Sequence, residues 1–232
     1  MKKLMAFAVV ACVAASAFVS CGGSASLKTD EDSVSYAFGM NIGAQLKEDK
    51  VVKINAFLAG LNDAYNGKEK IEQSELSRIV NQYFNEKLPA KNLEESEKFL
   101  EEIAANPNVQ KTESGLLYEV VVAGDPNVKA TKDEDVVKVV YHGTLKDGKV
   151  FDSSKERGDT AEFALNRVIP GWTEGMKLIG KGGKIKLWIP SDLAYGEYGS
   201  GNGVIGANEA VVFEVDLVDV IPAQAEEEAA AE

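Results

Sequence analysis

The hydrophobic period of this chain changes once, and the change limits what it can fold into. Between Ser33 and about Ala105 apolar residues return at helical steps, whereas from Leu116 onward they alternate residue by residue, as in strands. In the first helical segment, Ser33 to Lys47, Val34, Phe38 and Ile42 recur every fourth residue, with Gly39 and Gly43 beside them. The second, Lys53 to Asn66, puts Ile54, Phe57, Leu58, Leu61 and Tyr65 on one stripe and is expected to end at Gly67. A third begins near Ser74 with Leu76, Ile79, Val80, Tyr83 and Phe84, and Pro89 is expected to kink or break it. A further stretch carries Leu93, Phe99, Leu100 and Ile103 up to Asn106-Pro107. Short helices of this kind make a small core alone, so burial against a second copy is expected.

In the second half, Leu116, Tyr118, Val120 and Val122 alternate with Leu117, Glu119 and Val121, and Asp125-Pro126-Asn127 ends that strand. Further strands are expected near 135–141, 150–152, 162–165, 184–189 and 210–220. One short helix, Gly171 to Leu178, sets Trp172 and Met176 on one face and is expected to stop at Gly180. Many strands and one short helix read as an α+β arrangement, an antiparallel sheet wrapped on a helix. Val137, Val139 and Tyr141 share a strand face, and Asp147-Gly148 should turn the chain so that Val150-Phe151-Asp152 returns beside it. The stretch Tyr141 to Gly175 mixes Tyr141, Phe151, Phe163, Val168, Ile169 and Trp172 with turn residues too closely for one regular element. Those side chains read as the lining of a cavity.

Few chemistries suit such a cavity. The single histidine, His142, points by alternation to the face opposite Tyr141 and reads as a surface strand residue. With one histidine and two cysteines in the whole chain, no His/Cys metal site and no cofactor is expected. Ser153-Ser154 lacks a neighbouring base and reads as a turn or cap. Gly199-Ser200-Gly201-Asn202-Gly203 has neither the lysine nor the helix of a phosphate loop, and reads as a flexible flap. What remains is an uncharged aromatic cup with a few polar handles.

The amino terminus reads as an export signal. Lys2 and Lys3 precede an uncharged apolar run from Leu4 to Val19, shorter than the roughly 20 residues of a membrane span, and so read as a secretory signal over residues 1–20. Val19-Ser20-Cys21-Gly22 resembles a bacterial lipobox, which implies lipidation of Cys21; the alternative is ordinary cleavage after Ala17. Lipidation explains a lone mature cysteine and is the favoured reading, with anchoring at the periplasmic face or the cell surface. Cys12 is lost either way. Loss of Lys2 and Lys3 takes the net charge from −12 to −14, which argues against a nucleic acid partner. Residues 21–32 read as a solvated tether, and Ala223 to Glu232 as a disordered acidic tail.

Several ordered motifs carry a family resemblance. VVKVVYHGTLKDGKVFDSS from Val136, Arg157-Gly158, VIPGW from Val168, EGM from Glu174, Ile189-Pro190, LAYG from Leu193 and the closing AVVFEVDLVDV from Ala210 together resemble the FKBP-type peptidyl-prolyl isomerases. The likeness runs from about Gly115 to Ile221. SYAFGMNIG from Ser35, AFLAGLNDAYNG from Ala56 and KFLEEIAANPNVQKTESGLLYEV from Lys98 resemble the amino-terminal domain of the macrophage infectivity potentiator and FkpA-like branch.

The resemblance implies an FKBP-type isomerase domain over 112–222 behind a helical domain over 33–111 that forms a homodimer, the interface lying in 33–105. It implies a prolyl isomerase that assists folding of exported polypeptides, or alternatively a dimeric holdase chaperone with weak isomerisation. By the same likeness Tyr141, Phe151, Val168, Ile169, Trp172, Tyr195, Ile205 and Phe213 line the proline pocket, with Trp172 as floor. The Ile169 N–H and the Tyr195 hydroxyl are the expected donors to substrate carbonyls, and Asp152 orients the polar edge with Arg157 and Tyr141. Ala161, Thr160 and Gly206-Ala207 depart from the family pattern, which predicts a wider pocket edge and a more mobile wall near Ile205.

Overall fold

The computed structural model of the chain describes residues 26–47, 51–201 and 203–223. The expected signal over 1–20, Cys21, the start of the tether, Asn202 in the flap and the tail beyond Ala223 lie outside these residues. Backbone contacts divide the chain into two compact units, with the division between Glu72 and Gln73.

The first unit holds α1 (Asp30–Lys47) and α2 (Ile54–Tyr65). Asp30, Glu31 and Asp32, expected in the tether, instead form the first turn of α1. The cause is a reciprocal cap. Thr29 Oγ1 accepts from the Asp32 N–H and Asp32 Oδ2 from the Thr29 N–H, each at 3.1 Å, and the carboxylates suit the positive end of the helix dipole. Helix α2 closes at Gly67, whose φ of 63° lets the Lys68 N–H return to the Asp63 carbonyl at 2.9 Å. Neither helix has a buried residue: Phe38 is 65% exposed, Leu61 60% and Tyr65 90%.

The second unit begins with α3 (Gln73–Gln82), a π turn at Tyr83–Lys87 and α4 (Leu88–Ala104). The helix expected to kink or break at Pro89 does not end there but widens into a π turn just before it. Proline lacks an N–H and crowds the carbonyl four residues back. The wider turn, in which the Leu88 N–H reaches the Tyr83 carbonyl five residues back, absorbs both defects and lets the helix continue.

Beyond α4 the strands are β1 (Gln110–Lys111), β2 (Leu117–Val122), β3 (Asp125–Lys129), β4 (Val136–Leu145), β5 (Val150–Ser153), β6 (Ala161–Ala164), β7 (Gly180–Lys181), β8 (Lys184–Ile189) and β9 (Val211–Ile221). Seven of them form one antiparallel sheet in the order β1-β2-β8-β9-β4-β5, and β6 also pairs with β4. Strand β4 alternates strictly and buries Val137, Val139, Tyr141, Gly143 and Leu145. A single turn of helix, α5 (Ser154–Arg157), separates β5 from β6, and α6 (Pro170–Met176) packs against β8 with Trp172 and Met176 buried. Its two glycines set the approach distance. A Cβ on Gly175 would stand 2.8 Å from Leu187 Cδ1, and one on Gly171 would overlap Ile189.

The arrangement is α+β, an antiparallel sheet wrapped on a short helix, as expected from the sequence. Two local expectations are corrected. Lys177, not Gly180, follows the end of α6, and Asp125-Pro126-Asn127 belongs to a strand. Gly180 pairs with that strand in a β3–β7 ribbon so close that a Cβ there would collide with the Asp125 carbonyl.

Candidate active site

The cavity forms where the start of α6 meets β4, β5, β6 and β9. It encloses about 290 Å³ and is lined by Tyr141, Phe151, Asp152, Phe163, Arg167, Val168, Ile169, Trp172, Tyr195 and Phe213. Each element delivers its side chain by local rules. Alternation points Tyr141 inward from β4 and Phe213 inward from β9, and Pro170 at the first position of α6 presents Trp172 to the sheet.

Trp172 is the floor. Its ring meets Phe213 at 5.0 Å, Tyr141 at 5.3 Å and Phe163 at 5.7 Å, all near-perpendicular, and Phe151 meets Phe213 edge-on at 5.3 Å. Such pairs add about 0.5–1.5 kcal/mol each beyond area burial, so the cup is rigid before any ligand enters. Gly143 makes room for it, since a Cβ there would stand 2.8 Å from Phe151 Cζ and 2.9 Å from Phe213 Cε1. The Trp172 Nε1 is buried with no protein acceptor among the described residues.

One polar triad edges the cup. The Tyr141 hydroxyl donates to Asp152 Oδ2, Arg157 Nη1 donates to Asp152 Oδ1 at 2.5 Å, and Arg157 Nη2 donates to the Tyr141 hydroxyl at 3.2 Å. Burial pushes the Asp152 carboxyl up, but the hydrogen bonds from Tyr141 and Arg157 outweigh it and hold the group below the usual carboxylate range. For Tyr141, burial, then its bond to Asp152, pushes the phenol up. Tyr195 is pushed up by burial and then by the Asp152 charge. At neutral pH the edge therefore holds one fixed carboxylate and two neutral phenols. No side chain here is set up as a nucleophile.

The residues expected at the site come together with two exceptions. Arg157 bonds to Asp152 without lining the cavity, and Ile205, 3% exposed, packs in the core beside it. Arg167 is a lining residue that sequence reasoning missed, because a lone exposed cation beside a short turn carries no periodic signal. His142 lies on the opposite face of β4 and its Nδ1 is 3.0 Å from Ser153 Oγ. Ser153 caps α5 by accepting the Glu156 N–H at 3.1 Å, and Ser154 Oγ accepts the Tyr141 N–H at 2.9 Å, so both serines are structural.

A wrapped antiparallel sheet with a preformed aromatic cup and no poised nucleophile defines a class of protein that handles a small apolar group by shape and desolvation. Residues 128–218 match the family described as FKBP-type peptidyl-prolyl cis-trans isomerase, and residues 31–120 match the domain amino terminal to FKBP-type peptidyl-prolyl isomerase. The chain is 40% identical over 217 residues to the FKBP-type peptidyl-prolyl cis-trans isomerase FkpA of Escherichia coli K12, covering 86% of this chain and 79% of that one. It is 38% identical over 206 residues to the peptidyl-prolyl cis-trans isomerase Mip of Coxiella burnetii, covering 84% and 88%. The crystal structure of FkpA from Escherichia coli matches with a TM-score of 0.59 at 39% identity, over 86% of this chain and all of that one. The chain belongs to the FKBP-type peptidyl-prolyl cis-trans isomerases.

Proposed function

We propose that the cup isomerises X-Pro bonds in unfolded or partly folded exported polypeptides, by desolvating and twisting the amide with no covalent intermediate. The observation that carries this is the floor: the cavity rests on Trp172 between Tyr141, Phe163 and Phe213, and its one carboxylate is already occupied by Tyr141 and Arg157. Rotation about a peptide bond costs about 18–20 kcal/mol because it breaks amide resonance. The planar amide is more dipolar than the twisted one, so removing water from it lowers the barrier. A reduction of roughly 5 kcal/mol gives several thousandfold. In this reading the proline ring sits on Trp172, with Val168, Ile169 and Phe151 around it, and the Ile169 N–H and Tyr195 hydroxyl donate to flanking carbonyls.

The remaining parts complete the proposal. A signal over 1–20 and a lipid on Cys21 would tether the enzyme to a bacterial membrane outside the cytoplasm. Residues 33–105 would join two copies, which the uncovered apolar residues of α1 and α2 support. The same residues favour a second activity, holding unfolded chains, because Phe38, Met40, Leu61 and Tyr65 are each at least 60% exposed.

The test is the cis-to-trans relaxation of a short Leu-Pro or Phe-Pro peptide with residues 24–232, and its pH dependence. Asp152 is held below the usual carboxylate range by its bonds to Tyr141 and Arg157, which outweigh its burial, so its carboxylate and both bonds persist into mildly acidic solution. Burial pushes the Tyr141 and Tyr195 phenols above the usual range, so both stay protonated into mildly alkaline solution. Acceleration with kcat/KM flat from about pH 5 to about pH 9 is expected. A bell centred near neutrality would point to a general acid or base and sink the non-covalent desolvation mechanism.

A further inference from the structure

We infer that helix α4 is part of the isomerase site: through Asn92 and Ser96 it fixes the segment 206–210, and through that segment it positions Tyr195 in the cavity wall and the buried Ile205 beside it. The inference rests on the isomerase reading and adds residues that lie outside the cavity, about 100 positions before Tyr195 and Ile205 in the chain.

Helix α4 is amphipathic, yet its two buried residues are both polar, Asn92 at 7% and Ser96 at 2% exposure. Burying an amide or a hydroxyl is unfavourable unless each finds a partner. Both partners lie in one short loop. Asn92 Nδ2 donates to the Ala207 carbonyl at 2.9 Å; Ser96 Oγ donates to the Asn208 carbonyl and accepts the Ala210 N–H, each at 3.0 Å. Asn208 Nδ2 returns a bond to the Pro89 carbonyl at 3.3 Å. Lys146 Nζ spans Glu95 of the helix at 3.4 Å and Glu209 of the loop at 3.2 Å, and Glu209 Oε2 accepts the Gly206 N–H at 2.9 Å.

The loop has little else to place it. Gly206, Ala207, Asn208 and Glu209 offer no large apolar side chain, and Asn208 holds a left-handed φ of 59° that needs support from its surroundings. On its other side the loop touches the site. The Asn208 N–H donates to the Gly196 carbonyl at 2.9 Å, one residue from Tyr195 in the cavity wall. Gly206 follows Ile205, whose N–H and carbonyl close back on Ser200 Oγ and the Ser200 N–H, each at 2.9 Å. Helix, loop and wall are thus joined by consecutive hydrogen bonds.

The expected kinetic signature follows. Neither residue reaches the substrate, so on this inference their loss leaves the competent geometry itself unchanged and lowers only the fraction of free enzyme that has it. A lower competent fraction raises the apparent dissociation constant by its reciprocal. Residues 24–232 carrying Asn92→Ala with Ser96→Ala are expected to show KM for a Phe-Pro peptide raised about fivefold with kcat within twofold. Asn92→Asp, nearly isosteric but unable to donate to Ala207, should raise KM in the same direction and guards against a double variant that fails to fold. Leu100→Ala, on the same helix but packed toward Trp188, should lower the melting temperature and leave KM unchanged, because it touches none of these bonds.

A KM within twofold of the parent in the folded Asn92 and Ser96 variants, a loss confined to kcat, or an equal rise in Leu100→Ala would each overturn the inference. An unmodified chain that does not accelerate the peptide at all would instead overturn the isomerase reading beneath it.

Discussion

Replacing Phe151 and Asp152 together by alanine is expected to lower kcat/KM toward a Phe-Pro peptide about a hundredfold while the fold survives. Both residues sit on β5 at the sheet edge and neither is fully buried, so the domain is expected to stay folded, though less stable for the lost Phe151 packing. The chemistry is affected more than the packing. Without the Phe151 ring, Phe213 loses its edge-on partner at 5.3 Å and the cavity opens on that side. Water can then solvate the planar, more dipolar amide, the state the site must disfavour. Without Asp152, the Tyr141 hydroxyl loses its acceptor and Arg157 its anchor. Each loss is expected to remove about 1.4 kcal/mol of transition-state stabilisation, a factor of ten apiece. Relaxation kinetics with near-ultraviolet circular dichroism as the folding control decide the matter: an unimpaired rate in a folded variant would show that this cavity is not the site.

How much of this was legible in the sequence depends on whether a signal is periodic. Tyr141 and Phe213 reach the cavity because strands alternate, and Trp172 because it shares a helix face with Met176; both rules act over two to four residues. The π turn at Tyr83–Lys87 obeys no such rule. Pro89 announces a defect but not its remedy, and a break, a kink and a widened turn all relieve the same clash. The first turn of α1 was hidden for a related reason, since three consecutive acids read as solvated chain until Thr29 is seen to cap them. Arg167 enters the lining through the shape of a turn. Ile205 is carried into the core beside the cavity by the Ser200 loop, a closure that depends on glycines of positive φ at 199 and 203. The helical period of α4 was plain, whereas the body it packs on is a tertiary choice that a period cannot express.

That choice predicts the second large effect. A chain beginning at Thr112, and so lacking α3, α4 and the short strand β1, is expected to be about 3 kcal/mol less stable than one beginning at Gln73. Leu117, Trp188 and Val212 form a cluster of buried residues under Phe99, Leu100, Ile103 and Val109. Re-exposing a large apolar side chain costs roughly 1.5–3 kcal/mol, offset here by the freedom that the helix recovers when it is removed. The Ala210 N–H also loses Ser96 Oγ, its buried acceptor. For a domain of this size, 3 kcal/mol corresponds to a melting temperature lower by about 15 °C. Thermal unfolding of residues 112–223 beside 73–223 measures it, and equal melting temperatures would mean that the contacts of α4 and β1 contribute nothing. The expected loss also bears on how a chaperone activity should be assigned. A fragment with Trp188 uncovered presents an apolar patch absent from the intact chain, and such patches promote association by themselves. Aggregation assays should therefore compare chains that keep α4, so that any difference between them reports α1 and α2 rather than the uncovered sheet face.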